Sequence, residues 1–373
     1  MITEILLSAA LAAAPSVPSW EVVPLTPEPG NLVATTALSA HDVWTAGFTL
    51  DQEIVDGKPQ VTFRPQVWHW NGKASSRVPV PPLPDGRTGR LNAIAASAPG
   101  RIWAVGDSWL RGRTISLIER WDGKTWSPVP ADDDPGLDQH QLYGVAAIGE
   151  SDAWAVGSTA DAEHTRPMVQ HWDGVRWTRV PLPAGLADGD LSAVAASGPA
   201  DVWAAGAVAD GDGVAPLVLH WDGVAWRRIA LPSTAGLGLA RVGAITVSDG
   251  QVWAVGESTT GGALNRKPLA FRLTPWGAVI ERTPDERGQL NAVTTVGRDV
   301  WAVGYQYDEA GNTHAYALRR GIDGRWRRAA VPEAAGATLY GLTRVPGTGT
   351  LWTTGAMDGA DPGVPTPLMA RFS

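Results

Sequence analysis

The chain contains no cysteine. Disulfides and thiolate metal sites are therefore excluded, and the compartment must be read from other features. Phe, Tyr and Met are scarce, at 4, 5 and 4 copies. No basic run interleaves with aromatic residues, and the formal net charge is −8. A nucleic-acid groove needs cationic surface against the phosphates, so nucleic acid is not an expected partner. With 43 Gly and 29 Pro in 373 residues, the chain stays below the level that marks disorder.

One apolar run stands at the N-terminus, "ILLSAALAAAPS" from Ile5. It is too short for an ordinary membrane span, and no membrane insertion is expected. Small residues at its end resemble a signal-peptidase site near Ala14, but Glu4 stands where a basic leader is usual. Residues 1–14 are read as a signal-like segment of a secreted protein. The alternative is an apolar tail on a cytoplasmic one. Residues 15–373 are read as one domain.

What the chain has in abundance is tryptophan, 19 copies, and a repeated phrase. "DVWAVG" at Asp299 recurs as "DVWTAG" at Asp42, "RIWAVG" at Arg101, "DAWAVG" at Asp152, "DVWAAG" at Asp201, "QVWAVG" at Gln251 and "LWTTG" at Leu351. The seven tryptophans, from Trp44 to Trp352, are spaced by 59, 51, 49, 50, 48 and 51 residues. A catalytic motif is needed once, so sevenfold recurrence points to scaffold. Each repeat holds four short apolar runs separated by Gly, Asp and Pro, with an Asp-Gly turn expected as a two-residue hairpin. Four strands per repeat and seven repeats predict an all-β, seven-bladed β-propeller of four-stranded antiparallel blades.

The ends agree with a ring. The seventh repeat, residues 338–373, stops after a third strand, and "SWEVVPLTP" from Ser19 reads as a fourth strand with no repeat before it. Residues 19–25 are thus expected to complete the last blade, which leaves no free sheet edge. Within the motif, strand alternation puts Trp on one face and Ala and Gly on the other. Trp of one blade is expected to wedge onto the small face of the next. The basic residues His69, Arg120, His171, His220, Arg272, Arg319 and Arg371 share one slot. They are expected to bond structurally to the turn that holds Asp42, Asp152, Asp201 and Asp299.

These repeats resemble bacterial secreted propeller proteins built from DVWAVG and HWDGxxW phrases, over about 350 residues. "WDGKTW" at Trp121 is similar to the Asp-box turn of sialidase-like propellers, one residue short of that pattern. The repeat length suits kelch propellers, whose paired glycines are missing. The resemblance implies the fold and leaves the activity open.

Function is expected where the repeats differ. Loops after the motif and residues at blade starts should meet around a funnel, the default place for a ligand. The site candidates are Arg90, Asp107, Trp109, Arg111, Tyr143, Asp190, Arg241, Glu257, Tyr305, Tyr307, His314 and Tyr340. Trp109, Tyr143, Tyr305 and Tyr340 would stack on a ligand, and Arg90, Arg111 and Arg241 would supply charged hydrogen bonds. The leading reading is a monomeric binding module for a carbohydrate, small molecule or protein. An enzyme, hydrolase or lyase, would use Asp107, Glu257 or Asp190 as acid/base, with His140 or His314 in reserve. A third reading is a structural interaction platform. Acidic turns such as "ADDDPGLD" lack the full calcium-loop spacing, and His140, His164 and His314 lack a metal-ligand spacing. No phosphate loop or nucleophile elbow occurs. No cofactor or metal is expected.

Overall fold

The structure, a computed structural model, describes residues 18–373 apart from positions 56, 57, 187, 212 and 362. The signal-like segment 1–14 lies outside the described residues. Apart from two short 3-10 turns, Pro84–Gly86 and Ala263–Asn265, the regular structure is strand. The first strands of repeats 1 to 7 are Gly30–Ser39, Thr88–Ala98, Gln139–Ala147, Gly189–Gly198, Leu239–Ser248, Gln289–Val296 and Thr338–Arg344. Each repeat then folds as an antiparallel meander; repeat 4 continues Asp201–Asp210, Gly213–Trp221 and Trp226–Arg228. A single parallel bridge, Gln139 to Thr114, merges repeats 2 and 3 into one eight-stranded sheet. The N-terminal strand Trp20–Val22 pairs with Pro365–Phe372 as the fourth strand of the last sheet. The first strands pack side by side in chain order, and that of repeat 7 packs on that of repeat 1.

The motif explains the packing between sheets. Trp44 and Ala46 share a core cluster with Ile102 and Ala104 of the next repeat. Trp154 and Val156 meet Val202 and Ala204 in the same way, and Trp352 meets Val43 of repeat 1. The opposite end of each motif is fastened by polar bonds. Asp42 Oδ1 accepts from Trp44 Nε1 at 2.7 Å and faces His69 Nε2 at 2.9 Å. His171 meets Asp152 and His220 meets Asp201 likewise, and Arg319 pairs with Asp299. Where the aspartate is missing, the basic residue finds another partner: Arg272 meets Glu281, Arg371 meets Glu21, and Arg120 lies over Trp103.

Two local expectations change. The Asp-Gly hairpin is longer than two residues: Trp172 pairs with Trp177, and Asp173 to Arg176 lie between. Asp173 Oδ1 accepts the amides of Val175 and Arg176, an Asx turn that makes the longer loop rigid. The segment after the first motif, expected as a variable loop, continues the ladder as Asp42–Val55 and Lys58–Trp70, with β-favouring residues paired across it.

Candidate functional site

The candidate mouth is shaped by an irregularity that every repeat shares. The ladder between first and second strands slips by one residue at Leu32/Ala34, Leu91/Ala93, Leu142/Gly144, Leu191/Ala193, Val242/Ala244, Leu290/Ala292 and Leu339/Gly341. The residue passed over is Val33, Asn92, Tyr143, Ser192, Gly243, Asn291 or Tyr340. A β-bulge frees one residue from the ladder and re-aims its side chain. It also brings the two backbones close. A Cβ on Gly157 would stand 1.8 Å from Gln141 O, and on Gly106 1.9 Å from Arg90 O. The motif glycine is therefore required by the bulge. The sequence reading of it as part of the small face under Trp is corrected in that respect. Gly157→Ala is expected to lower stability by about 1–3 kcal/mol, the usual cost of overpacking. Equal urea midpoints for variant and wild type would refute this role.

Hydrogen bonds run from repeat to repeat across the bulged residues. Asp107 Oδ1 accepts from Arg90 Nε at 3.2 Å and Asn92 Nδ2 at 2.8 Å. Asn92 Nδ2 also donates to Leu142 O of the next repeat at 2.9 Å. Tyr143 donates to Gln141, and Ser192 Oγ to Asp190 Oδ1 at 2.9 Å. Arg241 Nη2 reaches back one repeat to Asp190 Oδ2 at 3.0 Å. Arg266 Nη1 lies 3.0 Å from Glu257 Oε2 and also donates to Gln289. Asn291 repeats the Asn92 bond, giving to Leu339 O at 2.8 Å. Arg241, Glu257 and Arg266 line a cavity of about 670 Å³ edged by Gly238, Gly261 and Gly262.

Asp107 Oδ2 and Glu257 Oε2 in the girdle are buried with no aligned donor among the described residues, and so is Oδ1 of Asn31, which holds in repeat 1 the position of Arg90 in repeat 2. The Asp107 side chain is only 1% exposed. A buried acceptor without a donor costs on the order of 1–3 kcal/mol, and more when charged. Each keeps an acceptor valence that the fold itself leaves unfilled.

The phenols of Tyr143 and Tyr305 stay protonated. Burial raises the Tyr143 pKa, and the charges of Asp107 and Asp190 add to this. Burial, with a hydrogen bond to Tyr307, raises that of Tyr305. Both rings are hydrogen-bonding surfaces at neutral pH, not bases.

Arg90, Asp107, Tyr143, Asp190, Arg241 and Glu257 therefore stand in the girdle; Tyr305 pairs with Gln289, and Tyr340 is the bulged residue of repeat 7. The other expected residues do not join it. Trp109 is a covered platform, with Phe63 at 5.4 Å between centroids and the Arg90 guanidinium 5.8 Å from its ring. Arg111, at φ 52° beside Gly112 at φ 82°, forms the tip of a two-residue hairpin and makes none of these hydrogen bonds. Tyr307 packs edge-on against Tyr305 at 5.4 Å. His314 pairs across the sheet with Gln306, hence on the opposite face from Tyr305 and Tyr307, and bonds Asp308 at 3.2 Å. His140 is wholly buried and accepts the Asp134 amide at Nε2, 3.0 Å. Burial lowers its pKa, and with Nε2 occupied by a backbone amide inside the protein it is a structural group.

Arg266 was missing from the expected set. Glu257 pairs with Pro268, so Arg266 sits at the diagonal position on the same face. That offset was readable only once the register was known.

No protein-family model and no curated protein sequence matches the chain. Its fold is similar to solved β-propeller proteins. YCF48 bound to D1 peptide aligns over 96% of this chain and 99% of its own, at 13% identity and TM-score 0.59. A GH74 xyloglucanase from Xanthomonas campestris aligns over 94% of this chain and 55% of its own, at 13% identity and TM-score 0.55. The Trypanosoma rangeli sialidase in complex with sialic acid covers 95% and 59%, at 9% identity and TM-score 0.50. At such identities the likeness concerns the fold, which serves binding proteins and enzymes alike.

Proposed function

We propose that the repeats are the seven blades of a closed propeller whose polar mouth binds a ligand rich in N–H or O–H donors. The cyclic order of the first strands and the pairing of Trp20–Val22 with Pro365–Phe372 support the ring. The observation that carries the binding reading is Asp107 Oδ2, a buried acceptor with no donor among the described residues. Binding is favoured over catalysis because Asp107, Asp190 and Glu257 are each held by an arginine, Arg90, Arg241 and Arg266. Among the described residues no hydrogen bond joins Asp107 to Glu257 or to a histidine. Each of these carboxylates is thus already engaged as an acceptor by a guanidinium.

A glycan or an extended peptide meets this requirement, and similar folds are known with a peptide and with sialic acid. The apolar run before Ser19 supports export of the chain to a compartment where such ligands are met.

The test is calorimetric titration of glycan and peptide panels into the full chain. Asp107→Asn, which presents a donor in place of an acceptor, is expected to weaken the best ligand by about 10–100-fold, the worth of a hydrogen bond to a charged group. Asn31→Ala provides a second variant away from the Arg90 pair. Unchanged affinity in both would remove the mouth from recognition. Turnover of a panel member that disappears in Glu257→Gln would make the site catalytic instead.

A further inference from the structure

The face opposite the mouth carries an asymmetry that the repeats do not require. The turns between third and fourth strands all lie at the end where the motif begins, as the pairs Trp154–His171 and Trp172–Trp177 show. The mouth pair Gln141–Ser158 lies at the other end of the same sheet. In repeats 1 and 2 these turns present Lys73 and Lys124. In repeats 3 to 6 they present Val175, Val224, Trp276 and Ile322, with exposures of 82%, 82%, 93% and 81%. These are the four most exposed large apolar side chains among the described residues, and they fall on four consecutive repeats of one rim.

We propose that this rim is a docking surface for a phospholipid membrane, seated in the headgroup layer without crossing it. Isolated exposed apolar residues are ordinary on protein surfaces; here the four most exposed among the described residues share the same turn of four consecutive repeats. Each side chain stands alone at a turn tip, next to Gly and, in three of the four, Asp. A protein partner needs a contiguous packed patch, whereas a fluid headgroup region closes around separate side chains. Tryptophan favours that region, and arginines flanking apolar tips reach phosphates. At the turn tips, Arg227 and Arg327 pair with the aspartates of their own turns, Asp222 and Asp323. Arg176 follows Val175, and Arg325 stands three residues after Ile322; neither has an ion-pair partner among the described residues, and both can meet anionic headgroups. Docking this way leaves the mouth facing outward.

The turns are rigid, which suits a surface that must present side chains together. Asp173 and Asp222 each accept two backbone amides within their turns, and Asp323 accepts that of Arg325.

The experiment is flotation of the full chain with phosphatidylcholine vesicles containing phosphatidylglycerol, at low salt. The wild type is expected to float, and to float less when phosphatidylglycerol is omitted or salt is raised. Trp276→Ser with Ile322→Ser is expected to lower the partition coefficient at least tenfold while leaving the thermal midpoint unchanged, because both residues are exposed. A wild type that stays in solution, or a double variant that floats like it, overturns the proposal. So does concentration-dependent self-association of the wild type that the double variant abolishes, which would assign the rim to a second copy of the chain.

Discussion

Trp44→Ala is expected to cost about 3–5 kcal/mol of folding stability, the range for emptying a buried tryptophan site. The side chain is 4% exposed and joins two repeats. Its ring stacks on His69 at 4.2 Å and 24°, and meets Trp121 and Trp126 of the next repeat at 5.0 and 6.0 Å. Its Nε1 donates to the same Asp42 oxygen that faces His69, so truncation also strips a donor from that carboxylate. Trp44→Phe retains much of the packing and loses the N–H, and a smaller cost of about 1–2 kcal/mol is expected. Guanidinium unfolding of the three proteins measures both effects. An alanine variant within 1 kcal/mol of wild type would mean that the motif tryptophan is not what joins the sheets.

Glu119→Gln is expected to act in the opposite direction and only at high pH. Glu119 is 2% exposed and pairs with Ala104 on the face that carries Leu117 and Trp121. Its Oε2 has no donor among the described residues. Corresponding positions in other repeats hold Trp68, Gln170, Leu219, Phe271, Leu318 and Ala370. Burial raises its pKa from 4.5 to about 7. A carboxyl with a raised folded-state pKa contributes its stability below the unfolded value and loses it as pH rises through the folded one. The window is therefore about pH 4.5 to 7. Above it, the ionised side chain costs on the order of 3 kcal/mol at about 1.4 kcal/mol per pKa unit. The glutamine variant should gain about that much stability relative to wild type between pH 4 and pH 8. Gln170, whose Oε1 accepts the Asp132 amide at 2.9 Å, shows an amide in the same slot of the next repeat. A difference between the two proteins that is identical at pH 4 and pH 8 would rule out this account.

Much of the scaffold was legible because its signals are local. Trp301 and Val303 fall on one face by alternation alone, and the basic slot beside the third-strand tryptophan faces the motif aspartate by simple hairpin pairing. The turn lengths were less legible, since an Asx turn and a two-residue hairpin begin with the same Asp-Gly. Trp109 read as a free platform because nothing local says that Phe63, 46 positions earlier, covers it. His140 read as a reserve acid/base group for the same reason, although it is buried with its Nε2 taken by the Asp134 amide.

By itself, the sequence determined the repeat, its strands, the tryptophan wedge and the set of variable positions after each motif glycine. Periodicity writes those features directly, because a side chain two residues along a strand returns to the same face. Only the tertiary structure decided the site. The bulge that aims Asn92, Tyr143 and Ser192 shifts register by one residue, and alternation cannot show where such a slip occurs. The partners that then form the girdle lie about fifty residues apart in the chain, Asn92 with Leu142 and Arg241 with Asp190. Contacts of that kind belong to the packing of one repeat on the next, which no single repeat encodes.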